Sequence, residues 1–311
     1  MIIWKLEFWI FFELRNSNFG FSGLSGLKRY NKMNILLFRL TLIVYLIASA
    51  GFLFFIIKKN KKVGYWSHKI MLLGFALHSI YLTLSYYQLG AVPALTFKTS
   101  LSFLSWTIIA AYIIFQVKFK LMVLGSFVVP FSTFLMIISS TIPISTITVR
   151  PIFKGLWLPL HVGTSLLGDG IFAIAFIAAL MYLIQERQIK SKRLGAFYTR
   201  LPSLNSLDSL NYHAINYGFL LLTIGMITGS IVAQGSHGSY WRWDPKEVWS
   251  LITWLCYAAL LHQRMAAGWR GRRSALMSIG CFLILIFTFV GVNFLMEGYH
   301  SFESLERSQL P

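Results

Sequence analysis

The sequence predicts an all-α polytopic membrane protein with about eight transmembrane helices and a tryptophan-rich outer loop between spans 6 and 7. Three observations carry this. Of 311 residues, 56% are hydrophobic and only 12% charged, against about a quarter charged in a typical soluble domain. Apolar stretches long enough to cross a bilayer, about 20 residues at helical rise, recur along the chain. The basic residues collect in alternate connectors.

The apolar stretches run approximately over 35–57, 68–90, 99–117, 121–141, 160–184, 213–234, 248–267 and 274–296. One set of connectors holds Lys58, Lys59, Lys61, Lys62 and Lys69, then Lys118 and Lys120. It continues with Arg187, Lys190, Lys192, Arg193 and Arg200, then Arg264, Arg270, Arg272 and Arg273. The alternate set holds only Lys98, Arg150, Lys154, Arg242, Lys246 and Arg307. The positive-inside bias puts the rich set on the cytoplasm-equivalent side. Loops 90–98, 142–159 and 235–247 and the tail 297–311 then share the opposite, outer side. The net charge of +18 therefore reads as orientation signal, and no nucleic-acid partner is expected.

Residues 1–34 form an N-terminal extension, either an interfacial helix or sequence upstream of the real start. Their "IIWKLEFWIFF" is too short to cross, and no small-residue cleavage site follows it. Residues 35–302 make one membrane domain, and 303–311 an outer tail. The two cysteines, Cys256 and Cys281, lie in apolar runs without a C-x-x-C or C-x-x-C-H motif. That excludes a dithiol oxidoreductase and a c-type cytochrome.

The stretch "HGSYWRWDPKEVW", His237 to Trp249, has a simple helix-start reading. Asp244 is an N-cap, Pro245 sits at the first helical position, and Glu247 lies three residues after the cap. Interfacial Trp and Tyr also anchor helices. The density exceeds that need: Tyr240, Trp241, Trp243 and Trp249 fall within ten positions. Flat aromatic faces beside a bilayer suit a large planar apolar ligand, and Gly235 and Gly238 allow close backbone approach. An iron macrocycle would also need axial ligands, usually histidine. His161, in "LWLPLHVG", opens the fifth span, and His300, in "MEGYHSF", follows the eighth, both on the loop's side. His262, in "ALLHQR", lies near the inner end of the seventh span. It reads as a functional intramembrane group or as a snorkelling residue beside Arg264. His68 reads as inner-loop surface, His78 as a packed group with an internal hydrogen bond, and His213 as interfacial.

"GSYWRWDPKEVWSLITWLCYAALLHQR" resembles the tryptophan-rich WWD signature of the CcsA/ResC family, the membrane haem-handling subunit of system II cytochrome c biogenesis. "WLPLHV", "LLTIGMITGSIVA", "LSFLSW" and "GVNFLMEGYHS" are similar to its other landmarks, and the likeness covers roughly residues 35–302. It implies binding of haem b as carried cargo, and its delivery across the membrane to the C-x-x-C-H thiols of apocytochromes c. In family terms His161 and His300 are the outer iron ligands, and Tyr240, Trp241, Trp243, Asp244 and Trp249 line the haem-contact loop. His262 is the intramembrane ligand, paired with a histidine of a ResB-like membrane partner. The resemblance also implies a subunit of a holocytochrome-c synthase, working with thiol-reducing proteins.

Two departures stand out. His237 occupies a position where relatives usually carry Trp, which is either an extra ligand or tolerated loop variation. Asp169, between Gly168 and Gly170 two turns below His161, replaces a residue more often uncharged. Burial would favour its neutral form, or it reaches a haem propionate through water. Arg242 and Lys246 either pair with propionates or remain solvated.

Two rival readings are a secondary transporter with an aromatic-lined path and a haem chaperone or exporter resembling CcmC. No repeat of the transporter kind is evident, and eight spans with a His262-type group favour CcsA over CcmC. The Phe- and Ile-rich, Lys-over-Arg composition resembles plastid-encoded chains. The expected location is the chloroplast thylakoid membrane, with a cyanobacterial or bacterial inner membrane as the alternative. The cytochromes served would be those of photosynthetic electron transport, such as cytochrome f and a soluble c-type cytochrome.

Overall fold

The computed structural model describes residues 32–58, 60–143, 155–192 and 200–296, with the side chains of His237 and Asn293 excepted. Among these residues every regular element is helical. The helices are α1 (Lys32–Lys58), α2 (Lys61–Leu89), α3 (Phe97–Phe119), α4 (Gly125–Thr141), α5 (Trp157–Lys190), α6 (Leu204–His237), α7 (Pro245–Ala266) and α8 (Arg272–Ile286). A 3₁₀ turn over Met122–Leu124 leads into α4. Helix α8 runs into a π-helical turn, Phe287–Gly291, and then α9 (Val292–Leu295).

Seven of these segments are long and apolar enough to cross a membrane. The exception is α7, which has the length but carries Lys246, Glu247, His262 and Arg264 within 22 residues. The chain is a multi-pass membrane protein.

Helix limits follow from caps as much as from hydropathy. Asn60 accepts from Lys62 N and Val63 N, so α2 begins seven residues before the apolar stretch at 68. Ser203 accepts from Ser206 N and starts α6 on the polar turns of "LNSLDSLN", ahead of the apolar stretch at 213. His68 and His213 consequently lie within helices. The His68 ring is half-buried, with its centroid 6.1 Å from that of Tyr112, which corrects the surface-loop reading. Gly90 and Gly238 close α2 and α6 in the left-handed region, which glycine enters without steric cost.

With water absent and lipid as apolar as leucine, helices associate through close approach and interhelical hydrogen bonds. Both devices are present. A β-carbon at Gly168 would sit 3.2 Å from Leu222 N and 3.3 Å from Gly218 O, and one at Gly170 2.8 Å from the Thr107 backbone. Helix α5 is thereby pressed against α6 and α3. Phe172 of α5 stacks on Tyr257 of α7 at 3.6 Å. Buried hydroxyl pairs join α1 and α3 to α4: Ser49 with Thr133 at 2.7 Å, and Ser105 with Ser132 at 2.8 Å. His78 Nε2 lies 3.0 Å from Ser102 Oγ, the internal hydrogen bond expected of it.

Contacts at the helix ends sort into two groups. At one end Lys98 donates to Ile142 O (2.6 Å), His161 meets Gly225, and Phe97 packs on Phe289 and Phe294. At the other end Lys118 donates to Tyr217 (3.2 Å), and Arg272 meets Glu186 at 3.5 Å. There, too, Arg264 clasps Asp208 with Nη2–Oδ2 2.9 Å and Nη1–Oδ1 3.1 Å. The first group coincides with the end inferred as outer from charge.

Candidate functional site

The outer end of α5 carries His161, half-buried against α6. His161 Nδ1 lies 2.8 Å from Gly225 O. A carbonyl only accepts, so Nδ1 carries the proton and donates it, leaving the lone pair on Nε2. That is the tautomer an iron-ligating histidine uses when its second nitrogen is held by a carbonyl.

Helix α6 continues outward from Gly225 and Gly229 to His237, and the chain then turns through 238–244 into α7. Trp254 Nε1 donates to Thr223 Oγ1 (2.9 Å) and fixes the register of α7 on α6. At about 1.5 Å rise per residue, Pro245 lies roughly level with residue 232. Gly225 and Gly229 are then about level with residues 252 and 248. His161, packed on α6 at this height, is thus level with the first turns of α7, and the aromatic loop lies one to two turns outward of it.

The loop is held by its own hydrogen bonds. Ser239 Oγ donates to Trp241 O (2.8 Å). Asp244, buried, caps α7 by accepting from Lys246 N (3.0 Å). Glu247 does not close a capping box on the cap residue, as the spacing suggested. It reaches two residues further and accepts from Arg242 N (2.8 Å), tying the loop's interior to the helix start. Trp243 takes φ +60°, a left-handed conformation that costs a residue with a β-carbon roughly 1–2 kcal/mol. The result is display: Trp243 is 73% and Tyr240 61% exposed. Trp241 stands edge-on to Trp243 at 5.8 Å. Trp249 faces inward instead, packed on Phe287 at 4.5 Å.

The charged residues behave differently from one another. Arg242 is exposed. Lys246 lies within electrostatic reach of the Asp169 and Asp244 carboxylates. Asp169 of α5 is thus near the head of α7. His262 is exposed on α7 with Leu255 and Ala259. Arg264 turns the other way, its side chain 5% exposed. His300 and the His237 side chain lie outside the described residues. The described contacts do not join His161 to His262 or to the loop tryptophans.

Sequence reasoning passed over three features. Gly225 and Gly229 entered it only as part of a landmark string. The signal available was two glycines inside an apolar helix, each costing roughly 0.5–1 kcal/mol relative to alanine. The π turn under Trp249 has no sequence signature at this level. It places Thr288 Oγ1 2.9 Å from Thr253 Oγ1, bonding α8 to α7 directly below the loop. The Arg264–Asp208 pair needed the tertiary fold.

Residues 94–300 match the cytochrome C assembly protein family. A cytochrome c biogenesis protein CcsA of Guillardia theta is 34% identical over 282 residues, covering 85% of this chain and 93% of the relative. Those of Porphyra purpurea (32% over 262 residues, 71% and 82%) and of a Prochlorococcus marinus strain (33% over 254 residues, 73% and 80%) are similar. The chain belongs to the CcsA family. Its role lies in cytochrome c biogenesis, a process that involves haem and apocytochromes c. The family match spans α3 to α9, so His161, the aromatic loop and α7 all fall inside the matched part of the chain.

Proposed function

We propose that this CcsA-family protein binds haem at its outer end, between His161 and His300 beneath the tryptophan loop, and presents it to apocytochrome thiols. One observation carries the reading. The His161 imidazole is held by the Gly225 carbonyl in the tautomer whose Nε2 can ligate iron, at the same end of the bundle as two displayed aromatic side chains. Tyr240 and Trp243 offer flat faces to a macrocycle. Lys246, near Asp169 and Asp244, and Arg242 are the loop's two cations and the candidates for pairing with the propionates.

Helix α7 completes eight spans in this reading. Alone it is the least apolar, and its His262 would meet lipid, where an imidazole is costly. A ResB-like partner helix packing on Leu255, Ala259 and His262 removes that cost and brings a second histidine to an inner haem station. The domain limits 35–302, haem b as cargo and cytochrome f and a soluble c-type cytochrome as recipients belong to the same reading. So does the thylakoid location, which relatives from plastids and cyanobacteria support. Attachment adds each thiol S–H across a vinyl group: an S–C bond forms, the proton ends on the neighbouring carbon, and no electrons are gained or lost. Thiol-reducing proteins are needed because only the reduced thiol has that hydrogen. The protein's contribution is orientation, holding iron between imidazoles while the vinyl edge meets the thiols.

The test is the visible spectrum of the protein purified with its membrane partner. Haem should co-purify and be lost in His161→Ala combined with His300→Ala. A haem-free wild-type preparation from haem-replete cells would end the proposal in favour of a transporter.

A further inference from the structure

The outer half of α6 raises a separate question. Gly225 and Gly229 are helical and four apart, where alanine would be the more stable residue by roughly 0.5–1 kcal/mol each. A β-carbon built on Gly229 would lie 2.7 Å from His161 Cε1, 2.8 Å from Nδ1 and 3.5 Å from Nε2. Its three nearest neighbours are thus all atoms of one imidazole. The missing side chain is the space that the ring occupies.

One turn inward, the Gly225 carbonyl accepts from His161 Nδ1 at 2.8 Å and from Thr228 Oγ1 at 3.0 Å. The helix therefore meets the ring twice. Gly229 lets Nδ1 and Cε1 come close to the backbone, and Gly225 O accepts the Nδ1 hydrogen. A histidine without such a partner favours the opposite tautomer, with hydrogen on Nε2, which cannot donate a lone pair from that atom.

We infer that Gly229 and the Gly225 carbonyl form a seat that fixes His161 as the Nδ1-protonated imidazole, making Gly229 a positioning residue for haem ligation. The inference rests on His161 being an iron ligand. Glycines four apart also serve simple helix packing, but packing alone gives no reason for the nearest atoms to belong to an imidazole. Gly229→Ala should raise helix propensity while displacing the ring by side-chain rotation. The fold survives and the ligand geometry does not. Loss of an outer-shell contact of this kind typically lowers metal affinity about 10–100-fold.

The experiment compares wild type, His161→Ala and Gly229→Ala, each expressed with the membrane partner. Histidine ¹⁵N spectra of haem-depleted protein should show an Nδ1–H resonance that disappears in His161→Ala. In Gly229→Ala it should move to the Nε2–H pattern. The haem-loaded Gly229→Ala complex should release haem at least tenfold faster and recover its low-spin spectrum with added imidazole. A wild-type tautomer and release rate in Gly229→Ala overturn the seat while leaving His161 as ligand. An unchanged haem spectrum in His161→Ala overturns the ligand assignment itself. Loss of the thermal transition in Gly229→Ala overturns the claim that only a rotatable ring fills the space.

Discussion

Trp243 holds a backbone conformation that its side chain opposes, φ +60° with a β-carbon, and it exposes an indole to do so. Strain of this kind persists where the neighbouring contacts over-determine it. Here they do: the Glu247 bond to Arg242 N lies on one side and the Asp244 cap on the other. Trp243→Gly separates the two consequences. The variant should melt at the wild-type temperature or slightly above, because roughly 1–2 kcal/mol of relieved strain exceeds the roughly 0.5–1 kcal/mol entropic cost of glycine. It should also lose most bound haem, measured as haem per protein after purification. Full haem occupancy in that variant would remove the stacking role. Glycine is chosen over alanine because alanine would keep the strained conformation while losing the indole.

Among the elements, α7 depends most on polar anchors. Its buried residues number only four, Thr253, Tyr257, Leu260 and Leu261, so interhelical bonds fix it. Trp254 reaches Thr223, Thr253 reaches Thr288, and Arg264 forms a two-pronged pair with Asp208. Arg264 also stacks over Tyr212 at 4.9 Å and hydrogen-bonds Ser274. Asp208 in turn accepts from Gly271 N at 2.9 Å, so the α7–α8 turn hangs on the same pair. Removing one partner of a fully buried ion pair costs about 3–5 kcal/mol because the other charge remains, and less here because Asp208 keeps some exposure. Arg264→Ala should therefore lower the melting point in detergent markedly, and the double variant with Asp208→Ala should recover part of it. Equal melting of wild type and Arg264→Ala would show that the pair is not holding α7. The charge at position 264 was visible in the sequence, but there it read as a loop cation setting orientation. Its burial came from folding α6, which starts well ahead of its apolar stretch, back against α7.

For the whole molecule the testable claim is the arrangement of ends. Single cysteines placed at Thr141 and Ser239, in a background lacking Cys256 and Cys281, should react with impermeant thiol reagent from the same side of the membrane. Cysteines at Lys62 and Lys190 should react only from the other. A mixed pattern would break the pairing of His161 with the aromatic loop on one face, and a reversed one would overturn the assignment of that face as outer.

The all-helical, multi-pass class and the family were legible because they depend on local quantities. Hydropathy over about 20 residues, loop charge and a dense aromatic string need no knowledge of neighbours in space. Residues such as His161, Trp243 and Asp244 could be singled out by type and spacing for the same reason. Which nitrogen of His161 bears the proton was decided by a carbonyl 64 residues away. Lys246 faces carboxylates on α5 as well as beside it, and Arg264 turns inward while His262 turns out. These follow from helix register and rotation, set by glycine contacts and cross-helix hydrogen bonds between segments distant in the chain.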